Sequence, residues 1–165
     1  MALTKHIWSE DIYKGAIAGT SVFVGFFNVV AEEFGTEKAV ELLRKLGTNM
    51  GTNSGQNYRK ELGDQLLDTK KLAELTTGVT NTFGDKVEVV YEKNSIRLRV
   101  RCCPFAEAYK ALGMDMISGK VICKAMDESF CKAFIKEIAP NGRWELTKCR
   151  ESFDDYCEEK YMLTK

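Results

Sequence analysis

The chain has 165 residues, enough for one domain with a full hydrophobic core and too few for two ordinary ones. Lysine plus arginine equals aspartate plus glutamate at 24 each, so no net field draws the protein onto a phosphate backbone or an anionic membrane, and nucleic acid is not an expected partner. Six cysteines without a secretory signal point to thiols kept reduced in the cytoplasm, where they serve packing, metal binding or nucleophilic chemistry rather than a disulfide framework.

Ser9 before Glu10, Asp11 and Ile12 reads as an N-cap with an acidic first turn, and Gly35 follows Phe34, so a first helix runs from about 9 to 34. From Gly15 to Ala31 this helix carries no charge, which is marginal for a membrane span of about 20 predominantly apolar residues. Gly19, Thr20, Ser21, Gly25 and Asn28 interrupt the run, and Glu10 and Asp11 stand where a signal peptide would be basic. The expectation is a central helix buried on most sides, with no membrane role. Its small residues Gly15, Ala18 and Gly19 would admit another helix or a second subunit, giving a homodimer.

Thr36 reads as the cap of a second helix, with Val40, Leu43 and Leu46 at helical spacing before Gly47. Residues 48–56 are rich in Gly, Asn, Thr and Ser and fit either a loop or a weakened helix continuing towards Leu62; the helix is favoured. A third helix is capped by Thr69, carries Leu72, Leu75, Val79 and Phe83 on one stripe, and stops at Gly84.

The period then changes from helical to two-residue. Val87, Val89 and Tyr91 alternate with Glu88, Val90 and Glu92, and Ile96, Leu98 and Val100 alternate with Arg97, Arg99 and Arg101, which is a hairpin with one wet face. A two-residue turn at Asn94 and Ser95 predicts Glu92 opposite Arg97, Glu88 opposite Arg101 and Tyr91 opposite Leu98 on the apolar side. Pro104 opens a short helix that Gly113 ends, with Cys103 at or next to its N-cap. Ser118 caps a longer helix reaching about Ala139, and Trp144–Arg150 and Tyr156–Leu163 form the closing strands. The fold class is therefore α+β in the order ααα-ββ-αα-ββ: a helical half over 1–84 packed on an antiparallel sheet of about four strands within 85–165, in one domain.

Cys103 at a helix N-terminus lies beside unsatisfied N–H groups and the positive end of the dipole, which favour a thiolate for nucleophilic attack or metal ligation; a compact structural turn is the alternative. Cys123, Asp127 and Cys131, four apart in succession, line one helix face. Cys149 and Cys157 share strand parity and face each other if the last loop is centred on Phe153, although their spacing is no zinc signature. The lone histidine, His6, precedes the first helix, so a Cys–His pair is not expected, and the proton acceptor in any hydrolysis is a carboxylate, Asp127 or Glu128, or a metal-bound water.

The run Cys103-Pro104-Phe105-Ala106-Glu107-Ala108, then Gly113, then Ile122-Cys123 with Asp127 four later, and finally Asp155-Tyr156-Cys157-Glu158-Glu159-Lys160-Tyr161 resembles the L-2-amino-thiazoline-4-carboxylic acid hydrolase family. Members show a Cys-Pro followed by a helix, a later cysteine with a downstream Asp, and a closing Gly-Asp-x-x-Cys-Asp-Phe-like strand. The match covers about residues 86–165, and the helical half fits by general layout. The chain departs from the pattern at Ser152-Phe153-Asp154-Asp155, where a glycine turn is usual, and at Glu158-Glu159, where Asp-Phe is expected. It also has Pro140-Asn141-Gly142 in place of Asn-Pro.

The resemblance implies ring opening of a cyclic thiazoline to an N-carbamoyl cysteine. That makes the protein a hydrolase-like enzyme acting on a cyclic C–N bond of a small molecule, with Cys103, Asp127 and Cys157 in catalysis. The rival mechanism is a zinc or iron ion held by Cys103, Cys123 and Cys157. The layout also looks like the 4-vinyl-reductase-like sensor domains, which bind small hydrophobic ligands or metals.

Overall fold

A computed structural model describes residues 8–163 apart from 64 and 66. In chain order the elements are α1 (Glu10–Phe34), α2 (Thr36–Leu62), α3 (Thr69–Thr82), β1 (Lys86–Tyr91), β2 (Ser95–Cys102), α4 (Pro104–Ala111), α5 (Met116–Ile138), β3 (Arg143–Lys148) and β4 (Cys157–Met162). The α+β class and the order of helices and strands are those the periodicity predicts. The four strands form one antiparallel sheet in the order β1-β2-β4-β3, so the last strand is inserted beside β2 and both are flanked on two sides.

Short polar side chains end the helices as expected in kind, with adjustments in place. Ser9 accepts from the N–H of Ile12 at α1. At α3 the cap is Asp68 rather than Thr69, and at α5 it is Asp115 rather than Ser118; each carboxylate accepts a backbone N–H three residues on, at 2.7 Å, because a charged acceptor satisfies the orphan N–H groups better than a hydroxyl. Gly35, not Thr36, caps α2. Its φ of +86° lies in a region that side-chain-bearing residues rarely occupy, and it lets two long helices follow one another with a single residue between them.

The polar stretch 47–57 is helical throughout, within α2. Gly47, Gly51 and Gly55 are buried on the face of α2 that packs on α5. A Cβ at Gly47 would stand 2.6 Å from the Met126 carbonyl oxygen, one at Gly55 2.6 Å from Cβ of Glu137, and one at Gly51 would run into the Phe130 carbonyl. The stripe is thus a seat for backbone on backbone, and the glycines' helix penalty of about 1 kcal/mol each is offset by the packing it permits.

Two apolar clusters result. One joins Leu72, Leu75 and Val79 of α3 with Ile96 and Leu98 of β2, Phe130, Phe134 and Ile138 of α5, Trp144 of β3 and Tyr161 of β4. The other joins Val24 and Phe27 of α1 with Leu43 of α2, Tyr109 of α4, and Ile122 and Met126 of α5. Helix α5 belongs to both.

Two expectations are corrected. Helix α1 is not buried on most sides: Val24 and Phe27 are its buried residues, it packs on α4 and α2, and Val22, Phe26, Val29 and Phe34 are 54–75% exposed. By length and composition alone it is also apolar enough to cross a membrane. In the first hairpin the turn is Lys93-Asn94, closed by the N–H of Glu92 on the Ser95 carbonyl at 2.9 Å, not Asn94-Ser95. The register consequently moves by two residues: Tyr91 faces Ile96 and is 59% exposed, Val89 faces Leu98, and Glu88 faces Arg99. A shift of two preserves the faces, so Ile96, Leu98 and Val100 remain buried. The long arginines still reach their glutamates diagonally, Arg97 to Glu92 and Arg101 to Glu88, while Arg99 pairs with Glu158 of β4.

Candidate functional site

A cavity of about 100 Å³ lies where the two clusters meet, lined by side chains of α3, α4, α5, the sheet and the segment after β3. Strand β4 alternates Cys157, Glu159 and Tyr161 onto the face that carries Val100, Leu98 and Ile96 of β2, their register partners. Helix α5 presents Cys123, Asp127 and Cys131 to the same space, as four-residue spacing dictates. Cys103 enters as the N-cap of α4 and Asp85 from the turn between α3 and β1. Cys149 and Arg150 follow β3 and complete the wall.

Cys103, Cys123, Asp127 and Cys157 therefore line one cavity. Cys149 lies opposite Cys157, one step beyond the Lys148–Glu158 pair, and the N–H of Arg150 points to Cys157 Sγ at 3.4 Å. Glu128 also reaches the wall, where Lys132 engages it. His6 lies outside the described residues. Among the described residues no three His, Cys, Asp or Glu side chains are grouped so as to hold a metal ion. The thiols of Cys103, Cys123 and Cys157 do not fit a zinc or iron centre as placed, and no step below passes through one.

Enclosure sets the electrostatics. Burial pushes the Asp127 carboxyl up to about 7, helped by the negative charge of Glu159. Glu159 is raised by its own burial, although it accepts from Trp144 Nε1 at 3.1 Å and from the Tyr161 hydroxyl at 3.0 Å. Asp85 is pushed well above the carboxylate range by burial and by Asp127 and Glu159, against the pull of Cys103 and Arg150.

At Cys103 burial outweighs the helix N-terminus: burial, with Asp85 and Cys123 beside it, drives the thiol well above its ordinary range, against the charge of Arg150 and a hydrogen bond from the Ala106 N–H. Cys123 is raised too, by burial and then Asp127, while the Tyr109 hydroxyl sits 3.1 Å from its sulfur. At neutral pH Cys103 and Cys123 are thus thiols rather than thiolates, and the Asp127 carboxyl is poised for acid–base work.

Sequence reasoning missed Glu159, Asp85, Tyr109 and Arg150. Glu159 was findable, since it shares strand parity with Cys157 and Tyr161; Asp85 and Arg150 are isolated charges in connecting segments, with no period to announce them. Arg150 is 3% exposed. Its Nη2 donates to the carbonyls of Val100 at 3.0 Å and Arg101 at 3.5 Å, and its Nη1 to that of Phe153 at 3.5 Å. Two buried polar atoms on the cavity lining have no hydrogen-bond partner, Nε of Arg150 and Oδ1 of Asp85.

These features define an α+β protein whose sheet and helices enclose a small thiol- and carboxyl-lined chamber. The chain belongs to the L-2-amino-thiazoline-4-carboxylic acid hydrolase family, whose profile matches residues 16–161, so the relationship extends through most of the helical half as well. No curated protein matches the sequence. Among solved structures, the chain is similar to the phenol-responsive sensory domain of the transcription activator PoxR, crystallised with phenol. The TM-score is 0.64 at 10% identity, over 87% of this chain and 74% of that one, a likeness of fold.

Proposed function

We propose that the protein is a hydrolase-like enzyme that hydrolyses the cyclic amidine of a small heterocycle of the thiazoline-carboxylate type inside this cavity. The observation that carries the reading is the Asp127 carboxyl, held near neutrality at about 7 in a chamber that it shares with Cys103 and Cys157. Water adds to the amidine carbon and passes a proton to the carboxylate of Asp127, with the protonated Cys103 thiol on the wall beside it. The tetrahedral adduct then collapses to the carbonyl as the ring C–S bond breaks, and the proton held by Asp127 is delivered to the departing sulfur, leaving a free thiol. Cys157 forms the opposite wall beside Cys149. Family membership supports the reaction class.

A second reading, a small-molecule sensor module, is favoured by the mainly apolar lining and by the fold shared with a sensory domain. Incubation with 2-aminothiazoline-4-carboxylate, following release of free thiol, separates the two. Turnover lost in Asp127→Asn supports the enzyme; saturable binding with no thiol released sinks it and leaves the sensor.

All six cysteines are free thiols, in keeping with a reducing, cytoplasmic setting. For the partner of α1 a second copy of the chain is the reading. Ile12, Gly15, Gly19, Val22, Phe26 and Val29 are exposed at alternating spacings of three and four, the seam of an antiparallel helix pair. A two-fold axis between Thr20 and Ser21 would set Phe26 of one copy into the open space at Gly15 of the other.

A further inference from the structure

The two unsatisfied polar atoms on the cavity wall are of opposite kind. Arg150 has three carbonyl oxygens for its terminal nitrogens and no hydrogen-bond partner at Nε, with the Cys157 thiol beside its guanidinium. A buried donor without a partner is costly, the more so on a charged group, so an orphan at a cavity calls for an acceptor supplied by a ligand. Asp85 Oδ1 is the converse, a buried carboxyl oxygen without a partner, although the Cys103 thiol bonds the same carboxyl group. Lys120 and Lys124 also line the cavity, Lys124 being exposed to solvent, and no acidic group closes on either in an ion pair among the described residues.

We infer that Arg150 Nε–H and Asp85 Oδ1 are the two polar anchors of the chamber, selecting a small ring that carries a carboxylate for Arg150 and an N–H donor for Asp85. This rests on reading the cavity as a small-molecule site and names its specificity determinants. The carboxylate completes the guanidinium and answers its charge, and an amino or amidinium edge supplies the hydrogen that Asp85 lacks. Lys120 and Lys124 attract the anion to the entrance. A neutral phenol offers no anion to Arg150, so the site discriminates against such ligands even though most of its wall is apolar. Losing a charge-assisted hydrogen bond at a buried site costs about tenfold or more in affinity.

Calorimetric titration of the unaltered protein with four rings tests this: 2-aminothiazoline-4-carboxylate, its 4-carboxamide, the parent 2-aminothiazoline, and phenol. The carboxylate is expected to bind about tenfold or more tightly than the carboxamide, and Arg150→Gln to bring the two together. Asp85→Ala should weaken the aminothiazolines and leave phenol unchanged. Because Arg150 also ties down backbone carbonyls, a variant that does not fold leaves the comparison of ligands on the unaltered chain to decide. Equal affinity for carboxylate and carboxamide, or tighter binding of phenol than of the carboxylate, overturns the inference. So does a failure of every ring to bind, which removes the small-molecule site as well. Preferential carboxylate binding without thiol release supports the inference and defeats only the hydrolase reading.

Discussion

The indole N–H of Trp144 donates to Glu159 Oε2 at 3.1 Å, holding a carboxyl group on the inner face of a sheet otherwise given to Ile96, Leu98 and Tyr161. Glu159 raises Asp127 through its charge, second to burial. Glu159→Gln keeps the hydrogen-bond acceptor and removes the charge, so the Asp127 pKa should fall from about 7 while staying above an exposed carboxyl. The acid limb of the pH–rate profile then moves to lower pH. An unmoved limb in a folded variant would exclude Asp127 as the titrating group.

Asp127 also links pH to stability. Its folded pKa of about 7 lies above the ordinary 3.8, so between these values the native state binds more protons than the unfolded chain. Stability therefore declines as pH rises through that window. Asp127→Asn removes the penalty and should stabilise the protein above pH 7 by ~1–2 kcal/mol, after allowance for screening through the cavity mouth, with little gain near pH 4. Chemical denaturation at the two pH values measures the difference; an equal effect at both contradicts the assignment.

Cys103 should alkylate slowly in the folded protein at neutral pH, because burial holds its thiol well above the ordinary range and the thiolate is the reactive form. Mass spectrometry after a timed pulse of iodoacetamide should find Cys103 modified far later than in the denatured chain. Rapid selective labelling of native Cys103 would show the helix end prevailing over burial.

Gly51→Ala places a methyl against the Phe130 carbonyl. Overpacking of this kind costs about 1–3 kcal/mol, outweighing the helix propensity gained, so the melting temperature should drop. Gly78→Ala in α3, whose Cβ would meet Tyr58 Oη at an ordinary 3.6 Å, should hold or raise it. The two melting curves form the comparison, and equal shifts would deny the close α2–α5 approach.

On the exposed face of α1, Phe26→Glu should give a monomer in sedimentation analysis where the unaltered chain is a dimer, with the same far-ultraviolet spectrum. A monomeric unaltered chain, or one that partitions into lipid vesicles, rejects the homodimer.

The periodic parts of this molecule were readable in its sequence and the aperiodic parts were not. Alternation in β1 and β2 gave the faces of the hairpin correctly even with the register displaced, because parity survives a shift of two whereas a turn's position rests on a single residue. The i, i+4 spacing of Cys123, Asp127 and Cys131 gave one helix face, and the cavity is where that face looks. The glycines of α2 were ambiguous because composition reports flexibility alike for a loop and for a tight helix seat; Phe130, far along the chain, makes the difference. Apolar content misled at α1, since the same residues serve a core and an uncovered face. The helix-end argument for Cys103 hung on exposure, which spacing does not report; burial raises the thiol against the hydrogen bond from the Ala106 N–H.

Strand β4 lies between β2 and β3, yet it follows both in the chain. During translation the hairpin of β1 and β2 emerges with one edge bare, and the helices α4 and α5 are made before that edge can be filled. Until β4 threads into place the nascent protein has neither a closed sheet nor Glu159 and Cys157 in their chamber, and it offers a sticky strand to its neighbours on the polysome. Chaperone dependence and losses to aggregation should therefore concentrate in this late interval of biogenesis.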